Sequence, residues 1–130
     1  MTMEDFVTFE IAKKLKEKGF SWICSHYYRT KSKDLFMIYP CEDWSNIEER
    51  VNAPTISQVL EWLRKVHHLH FEVVGAAYGY NLIISDTPNK GGTDRYYSHA
   101  KDDGPNDGGA WDDYEDCVMY GIEYVLDNLI

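Results

Sequence analysis

The stretch APTISQVLEWLRKVHHLHFEVVGAAYGYNLIISD, residues 53–86, decides the fold because it joins a capped amphipathic helix to two apolar strands. Thr55 and Gln58 have the spacing of a capping box, in which each side chain accepts a hydrogen bond from the other residue's backbone N–H. Apolar residues then recur every three or four positions, which predicts one buried helical face. They are Ile56, Val59, Leu60, Leu63 and Val66. The apolar runs at 71–74 and 82–84 predict two strands.

A looser copy of this helix-and-strands unit precedes it. Thr8 is a predicted N-cap, and Gly19 suits the position that follows a helix C-terminus. Four lysines lie in the later turns of this first helix, namely Lys13, Lys14, Lys16 and Lys18. Glu10 and Glu17 lie among them, which indicates a solvated face rather than a basic binding patch.

Shorter elements follow each predicted helix. Residues 22–28 and 35–39 predict a hairpin, and residues 41–52 predict a polar connector. Residues 95–98 predict a short strand at the edge of a sheet. No stretch is long or biased enough in composition to mark a domain boundary.

The last predicted helix follows an acidic, glycine-rich loop at residues 102–109. Asp112 is the predicted N-cap with Glu115 at position N3, and acids in a first turn suit the positive end of the helix dipole. The apolar stripe of this helix contains Gly121. Glycine costs roughly 1 kcal/mol relative to alanine inside a helix, so we expect a neighbouring backbone to approach closely there.

These elements predict a single α+β domain over residues 1–130, in the order α-β-β-α-β-β-(β)-α. Apolar helix faces and alternating strands are best buried as helices packed on one face of an antiparallel sheet. A chain of 130 residues is long enough to build such a core without disulfides or metals.

Charge is distributed unevenly along the chain. Residues 1–65 carry ten Lys or Arg and ten Asp or Glu, whereas residues 66–130 carry three and twelve, so the second half accounts for the net charge of −9. Residues 102–116 hold seven acids and no base. Such a surface repels phosphate backbones and favours basic partners.

Three cysteines at unrelated spacings, with no CxxC pair, argue against a disulfide framework and favour a reducing compartment. The N-terminus lacks the features of a signal peptide, and no apolar run approaches the ~20 residues that a membrane span needs. We therefore expect a cytoplasmic protein that binds no membrane.

The sequence resembles a family of small uncharacterised proteins encoded by phages and integrated elements of gut bacteria. The segments that carry the resemblance are Phe6–Glu10, Leu15–Phe20, Ala53–Thr55 with Gln58, Trp62–Arg64, and Tyr114–Cys117. They lie at both ends and in the middle of the chain. The resemblance implies a phage-like accessory or host-directed context and supplies no catalytic residue.

Two segments could bind a metal, and neither has a convincing pattern. If Gly108 takes position 6 of an EF-hand loop, Pro105 occupies position 3 and Tyr114 occupies position 12, so the bidentate acid is missing. His67, His68 and His70 have chelate-like spacing, but they cross a helix-to-strand junction where side chains diverge. The sequence therefore predicts no metal ligand and no cofactor.

No catalytic signature is present, so we expect a non-catalytic protein-binding or accessory module with a protein partner of basic character. Nucleic-acid binding is not expected, and a homo-oligomer stays open. The alternatives are a nucleic-acid-binding domain with the helix–three strands–helix order of double-stranded-RNA-binding domains, or a metal-dependent hydrolase using the acidic loop.

The predicted partner-binding site is the acidic loop around one tryptophan. An aromatic ring that anchors a partner, with charges that steer its approach, is a common division of roles at interfaces. The predicted residues are Asp102, Asp103, Asp107, Trp111, Asp112 and Asp113.

Overall fold

The computed structural model describes residues 6–42, 49–87, 95–97 and 103–130. Within these ranges the chain forms three helices and six strands. In chain order they are α1 (Phe9–Glu17), β1 (Cys24–Arg29), β2 (Leu35–Glu42), β3 (Arg50–Asn52), α2 (Ile56–Val66), β4 (Leu69–Ala76), β5 (Gly79–Asp86), β6 (Arg95–Tyr97) and α3 (Tyr114–Asn128). The predicted α+β class is confirmed, and the predicted order holds apart from the added strand β3.

The strands form two antiparallel three-stranded sheets, β2-β1-β3 and β4-β5-β6, rather than the one sheet that we expected. The reason is β3, which lies in the predicted connector and pairs with β1 in the register Tyr27 to Asn52 and Arg29 to Arg50. Both sides of β1 are therefore occupied by strands from its own half of the chain. The same is true of β5, which lies between β4 and β6.

The ends of α1 and α2 follow the predicted capping chemistry. Thr8 Oγ1 accepts from the backbone N–H of Ile11 at 3.3 Å, and both hydrogen bonds of the Thr55–Gln58 capping box are present at 3.0 and 3.2 Å. After α1, Gly19 has a φ of 88°, the left-handed conformation that glycine adopts readily.

The predicted cap of α3 is wrong. The N-cap residue is Asp113, and its side chain makes no capping hydrogen bond. The carboxylate of Asp112 instead accepts from Asn106 Nδ2 at 3.0 Å, so the loop before the helix takes up this side chain. Two acids in the first turn, Glu115 and Asp116, still suit the helix dipole.

One buried core joins all three helices and both sheets. Of the positions predicted from α2 and the β4–β5 hairpin, Ile56, Val59, Leu63, Leu82 and Ile84 belong to it, and Leu60, Phe71 and Val73 are partly buried against it. Val66 was expected on the buried face, yet it is 50% exposed because it is the last residue of α2, where the chain turns away.

Gly121 lies where α3 crosses the second sheet. A Cβ at this position would come within 2.7 Å of both Leu82 Cδ2 and Phe71 Cε2, so the missing side chain makes room for these two. The expected close approach is real, but side chains of β4 and β5, rather than a backbone, make it.

Lys14 of α1 and Lys18, its C-cap residue, contact the C-terminal end of α3, which has no basic residue in its own last turn. Lys14 Nζ lies 3.1 Å from the Asp127 carboxylate and 3.6 Å from Glu123, and Lys18 Nζ donates to the backbone carbonyl of Ile130 at 2.7 Å. The hydrogen bond to Asp127 raises the pKa of Lys14 above its usual value. These two lysines thus lie on the solvated face that was expected, and they also contact the end of α3.

Candidate partner-binding site

The loop before α3 is organised around the side chain of Asn106. Its Oδ1 accepts from the backbone N–H groups of Gly108 at 3.0 Å and Ala110 at 2.9 Å. Its Nδ2 donates to the Tyr78 carbonyl at 2.7 Å and to Asp112. One amide group thus closes the loop on itself and fastens it to the tip of the β4–β5 hairpin.

Trp111 extends the second sheet instead of facing solvent. Its backbone exchanges two hydrogen bonds with Tyr80, at 2.7 and 3.0 Å, on the side of β5 that β6 occupies further along. The ring is 6% exposed, and its centroid lies 4.8 Å from that of Tyr120. The prediction of an exposed aromatic anchor at Trp111 is therefore wrong, because sheet pairing draws the ring into the core.

Asp103 has a structural contact that its sequence context did not reveal. Its Oδ2 accepts hydrogen bonds from the hydroxyls of Tyr97 at 2.8 Å and Tyr120 at 3.4 Å. Burial, and next the hydrogen bond to Asp103, hold the pKa of the Tyr97 hydroxyl far above its usual value, so Tyr97 stays a donor. Asp103 thus joins β6 to α3.

The remaining predicted acids have different surroundings. Asp107, Asp112 and Asp113 are exposed, whereas Asp102 lies outside the described residues. Asp107 and Asp112 each line a shallow hollow beside the hairpin tip, with volumes of about 630 and 760 Å³. Both hollows share Tyr78. Asp107 and Asp112 therefore each line a hollow that Tyr78 also lines.

Tyr78 was missed by sequence reasoning. It is 72% exposed at the turn between β4 and β5, and a Cβ on Gly108 would lie 2.6 Å from Tyr78 Cβ, so glycine lets the loop pack directly against it. The signal was available, because a large aromatic at a two-residue hairpin turn has no sheet face on which to be buried. We call Tyr78, Asp107 and Asp112 the hairpin-tip surface.

The histidine segment does not form the chelate that its spacing suggested. The His67 ring packs edge-on against Trp62, with centroids 4.6 Å apart, while His68 adopts a φ of 57° and its carbonyl accepts from Thr87. Burial, and next the charge of His68, lower the pKa of His67. Among the described residues, no three His, Cys, Asp or Glu side chains are placed to hold a metal ion.

Cys24 and Cys117 are free thiols inside the core. Burial raises the pKa of Cys117 to about 11, which keeps it protonated at neutral pH and opposes a nucleophilic role. Cys24 Sγ donates to the carbonyl of Trp22 at 3.4 Å. Both side chains therefore act as packing groups.

Comparisons with protein-family models, with curated proteins and with solved structures find no match to this chain. In the part of the chain that the structure describes, no helix has the length and apolar character needed to cross a bilayer.

Proposed function

We propose that this chain is a non-catalytic protein-binding module that binds a basic partner through the hairpin-tip surface. The observation that carries the proposal is the 72% exposure of Tyr78 at a turn beside two hollows, one lined by Asp107 and the other by Asp112. Single exposed apolar residues are common on protein surfaces. A tyrosine that projects from a fixed turn is different, because tyrosine is among the residues that most often dominate binding energy.

The backbone hydrogen bonds that hold the turn at Tyr78 favour this role. Its carbonyl accepts from Asn106, and the neighbouring Tyr80 pairs with Trp111 in the backbone. A ring on a held backbone loses less conformational freedom on binding than one on a loose loop, so more of its contact energy is available for affinity. The loop thus restrains the backbone that carries the Tyr78 ring.

The acids near Tyr78 favour a partner of positive charge. Asp107 and Asp112 are exposed and lie in the half of the chain that carries the whole net charge. Exposed acids speed the approach of a cationic partner and disfavour an anionic one, an effect that salt screens. The resemblance to phage-encoded proteins favours a host protein as that partner.

A nucleic-acid-binding function is the second candidate, because the order α2-β4-β5-β6-α3 has the helix–three strands–helix pattern of double-stranded-RNA-binding domains. That class uses a basic helix N-terminus to contact phosphate. Here Asp113, Glu115 and Asp116 lie at the start of α3, which opposes such contact. Micromolar binding of RNA or DNA in a gel shift at low salt would favour this candidate over ours.

A metal-dependent hydrolase that uses the acidic loop is the other alternative. Two of its acids already serve as acceptors, Asp103 for tyrosine hydroxyls and Asp112 for Asn106, which leaves fewer oxygens for an ion. A thermal-shift scan with Ca²⁺, Mg²⁺, Mn²⁺ and Zn²⁺ tests it. A specific shift would support the hydrolase, and no shift would exclude it.

The test of our proposal compares three baits in host lysate: the wild-type chain, Tyr78→Ala and Met37→Ala. Met37 is a matched control because it is an equally exposed apolar side chain, at 75%, on the other sheet. Quantitative mass spectrometry should find basic proteins that the wild type and Met37→Ala retain and Tyr78→Ala loses. Equal retention by all three baits would contradict the proposal.

A further inference from the structure

Strand β4 is a long and regular strand at one edge of the second sheet. In the described part of the chain its one strand neighbour is β5, and the two pair over all eight residues of β4 without a register shift. The other edge strands are short or interrupted, since β3 and β6 have three residues each and β2 contains Pro40 and pairs irregularly with β1. Short length, proline and irregular pairing are features that keep an edge strand from pairing with another chain. β4 has none of these three features.

Backbone hydrogen bonds at both ends of the hairpin show which groups of β4 point away from β5. Tyr80 is the Cα partner of Gly75, yet its N–H and C=O both bond to Trp111, so those of Gly75 point away from β5. At the other end of β4, the carbonyl of His68 accepts from the N–H of Thr87 at 2.9 Å and therefore points inward. Inward and outward positions alternate along an antiparallel strand. The outward positions are Leu69, Phe71, Val73 and Gly75.

The side chains of β4 suit a strand of the same sequence at this edge. On the face towards Gly121 of α3, Phe71 and Val73 are only partly buried against the core. On the opposite face, Glu72 is exposed and His70 is half-buried. In an antiparallel pair centred on Phe71, this residue lies opposite its own copy, and Glu72 of each strand lies opposite His70 of the other. Aromatic pairs stabilise a sheet, and a carboxylate accepts a hydrogen bond from imidazole in either protonation state.

We propose that β4 pairs antiparallel with β4 of a second copy of this chain, with the two-fold axis at Phe71. An axis at Glu72 would place two carboxylates directly opposite each other, which is destabilising. An axis at Val73 would place Glu72 opposite Val74 and lose both contacts with His70. The joined β4-β5-β6 sheets form one continuous sheet through an isologous interface. Because the paired strands are antiparallel, the hairpin-tip surfaces of the two copies lie at opposite ends of this sheet.

Sedimentation velocity of the full chain, over a concentration series from micromolar to millimolar, tests the proposal. Moderate salt is used because each copy carries a net charge of −9. We expect the wild type to form a dimer. Val73→Pro removes an outward N–H but no hydrogen bond to β5, and edge strands accept proline at such a position. The variant should therefore fold, and its dimer dissociation constant should rise at least about tenfold.

Gly75→Pro is the matched control. It removes an outward N–H of the same strand, but Gly75 would lie opposite His67, which is outside β4. A Cβ at this position would lie 4.0 Å from Tyr80 Cε1, an ordinary contact, so the strand has room for the new ring. Gly75→Pro should dimerise like the wild type.

An exchange of two side chains tests the register. His70→Glu places two carboxylates opposite each other and Glu72→His places two imidazoles opposite each other, so each single variant should weaken the dimer. The double variant again has an acid opposite each histidine and should recover it. Both side chains lie on the face away from α3, and circular dichroism checks that the variants fold. If Val73→Pro does not fold, this exchange replaces it.

Three results would overturn the inference. They are a wild-type chain that is monomeric at every concentration, equal dissociation constants for wild type and Val73→Pro, and no recovery in the double variant. A monomeric wild type whose Val73→Pro variant loses basic proteins in the lysate experiment would show that the edge binds a strand of that partner instead. Tyr78→Ala should dimerise like the wild type, so this inference and the proposed function fail separately.

Discussion

The two sheets of this molecule have the same number of strands but different strand orders. In the first sheet the central strand is β1, the strand that follows the helix, whereas in the second it is β5, the second strand after the helix. The two halves have the same order of helices and strands along the chain, but their strands pair in different orders. The order of helices and strands along the chain therefore does not determine how the strands pair. The segment that follows each hairpin decides which of the two hairpin strands gains a further neighbour.

The two halves also use aromatic residues differently. Around the first sheet, rings lie under cations, as Phe36 lies under Arg29. Around the second, tyrosine hydroxyls donate to a carboxylate, as Tyr97 donates to Asp103. The rings of the first sheet therefore contact cations through their faces, whereas those of the second contact an anion through their hydroxyls.

The largest expected effect tests whether the halves are energetically one unit. Leu15→Ala in α1 and Ile122→Ala in α3 should each cost about 2–5 kcal/mol, since both side chains are fully buried in the shared core. Denaturant unfolding followed by circular dichroism and tryptophan fluorescence should give one transition for both variants. Val66→Ala, at an exposed site, is the control. Two separate transitions would show that the halves unfold independently.

The next largest effect is expected at Asn106, whose side chain holds the loop before α3. Asn106→Ala removes four hydrogen bonds of a partly exposed side chain, and we expect a loss of about 2 kcal/mol in unfolding free energy. Asn128→Ala loses only one exposed hydrogen bond and should cost much less. Equal losses would mean that the loop is not held by Asn106. Partner binding should fall in Asn106→Ala even where folding is retained.

A smaller effect on stability should distinguish Asp103 from Asp107, two acids of the same loop. Asp103→Ala should cost about 1 kcal/mol because it removes the hydrogen bond that the hydroxyl of the buried Tyr97 donates to Asp103. Asp107→Ala should change stability by less than about 0.5 kcal/mol and should instead slow association with a basic partner. Thermal melts and stopped-flow association measure the two quantities. If the two variants behave alike, the structural role of Asp103 is refuted.

The smallest expected effect is a change in pH dependence at the junction of α2 and β4. The pKa of His67 in the folded state lies below its usual 6.5, so the unfolded chain takes up the proton first as the pH falls. Stability should therefore decrease as the pH falls below about 6.5. His67→Phe keeps a ring against Trp62 and should reduce the loss of unfolding free energy on acidification. Identical slopes for both proteins would contradict the lowered pKa of His67.

Local signals in the sequence predicted the fold well wherever the deciding contacts are close in the chain. The Thr55–Gln58 capping box, the turn at Gly19 and the apolar stripe of α2 depend on residues within a few positions of one another. The site was predicted less well. Trp111, which was expected to be exposed, is buried, and Tyr78 is exposed instead, since burial is a property of the assembled sheet.

By itself the sequence determined the α+β class, the helix starts of α1 and α2, and the concentration of negative charge in the second half. Periodicity, capping and charge are properties of neighbouring residues, so no long-range contact is needed to establish them. Only the tertiary structure decided the division into two sheets, the pairing of Arg29 with Arg50 and the exposure of Tyr78. Each of these depends on segments that are distant in the chain and come together only when backbone hydrogen bonds and the core are formed.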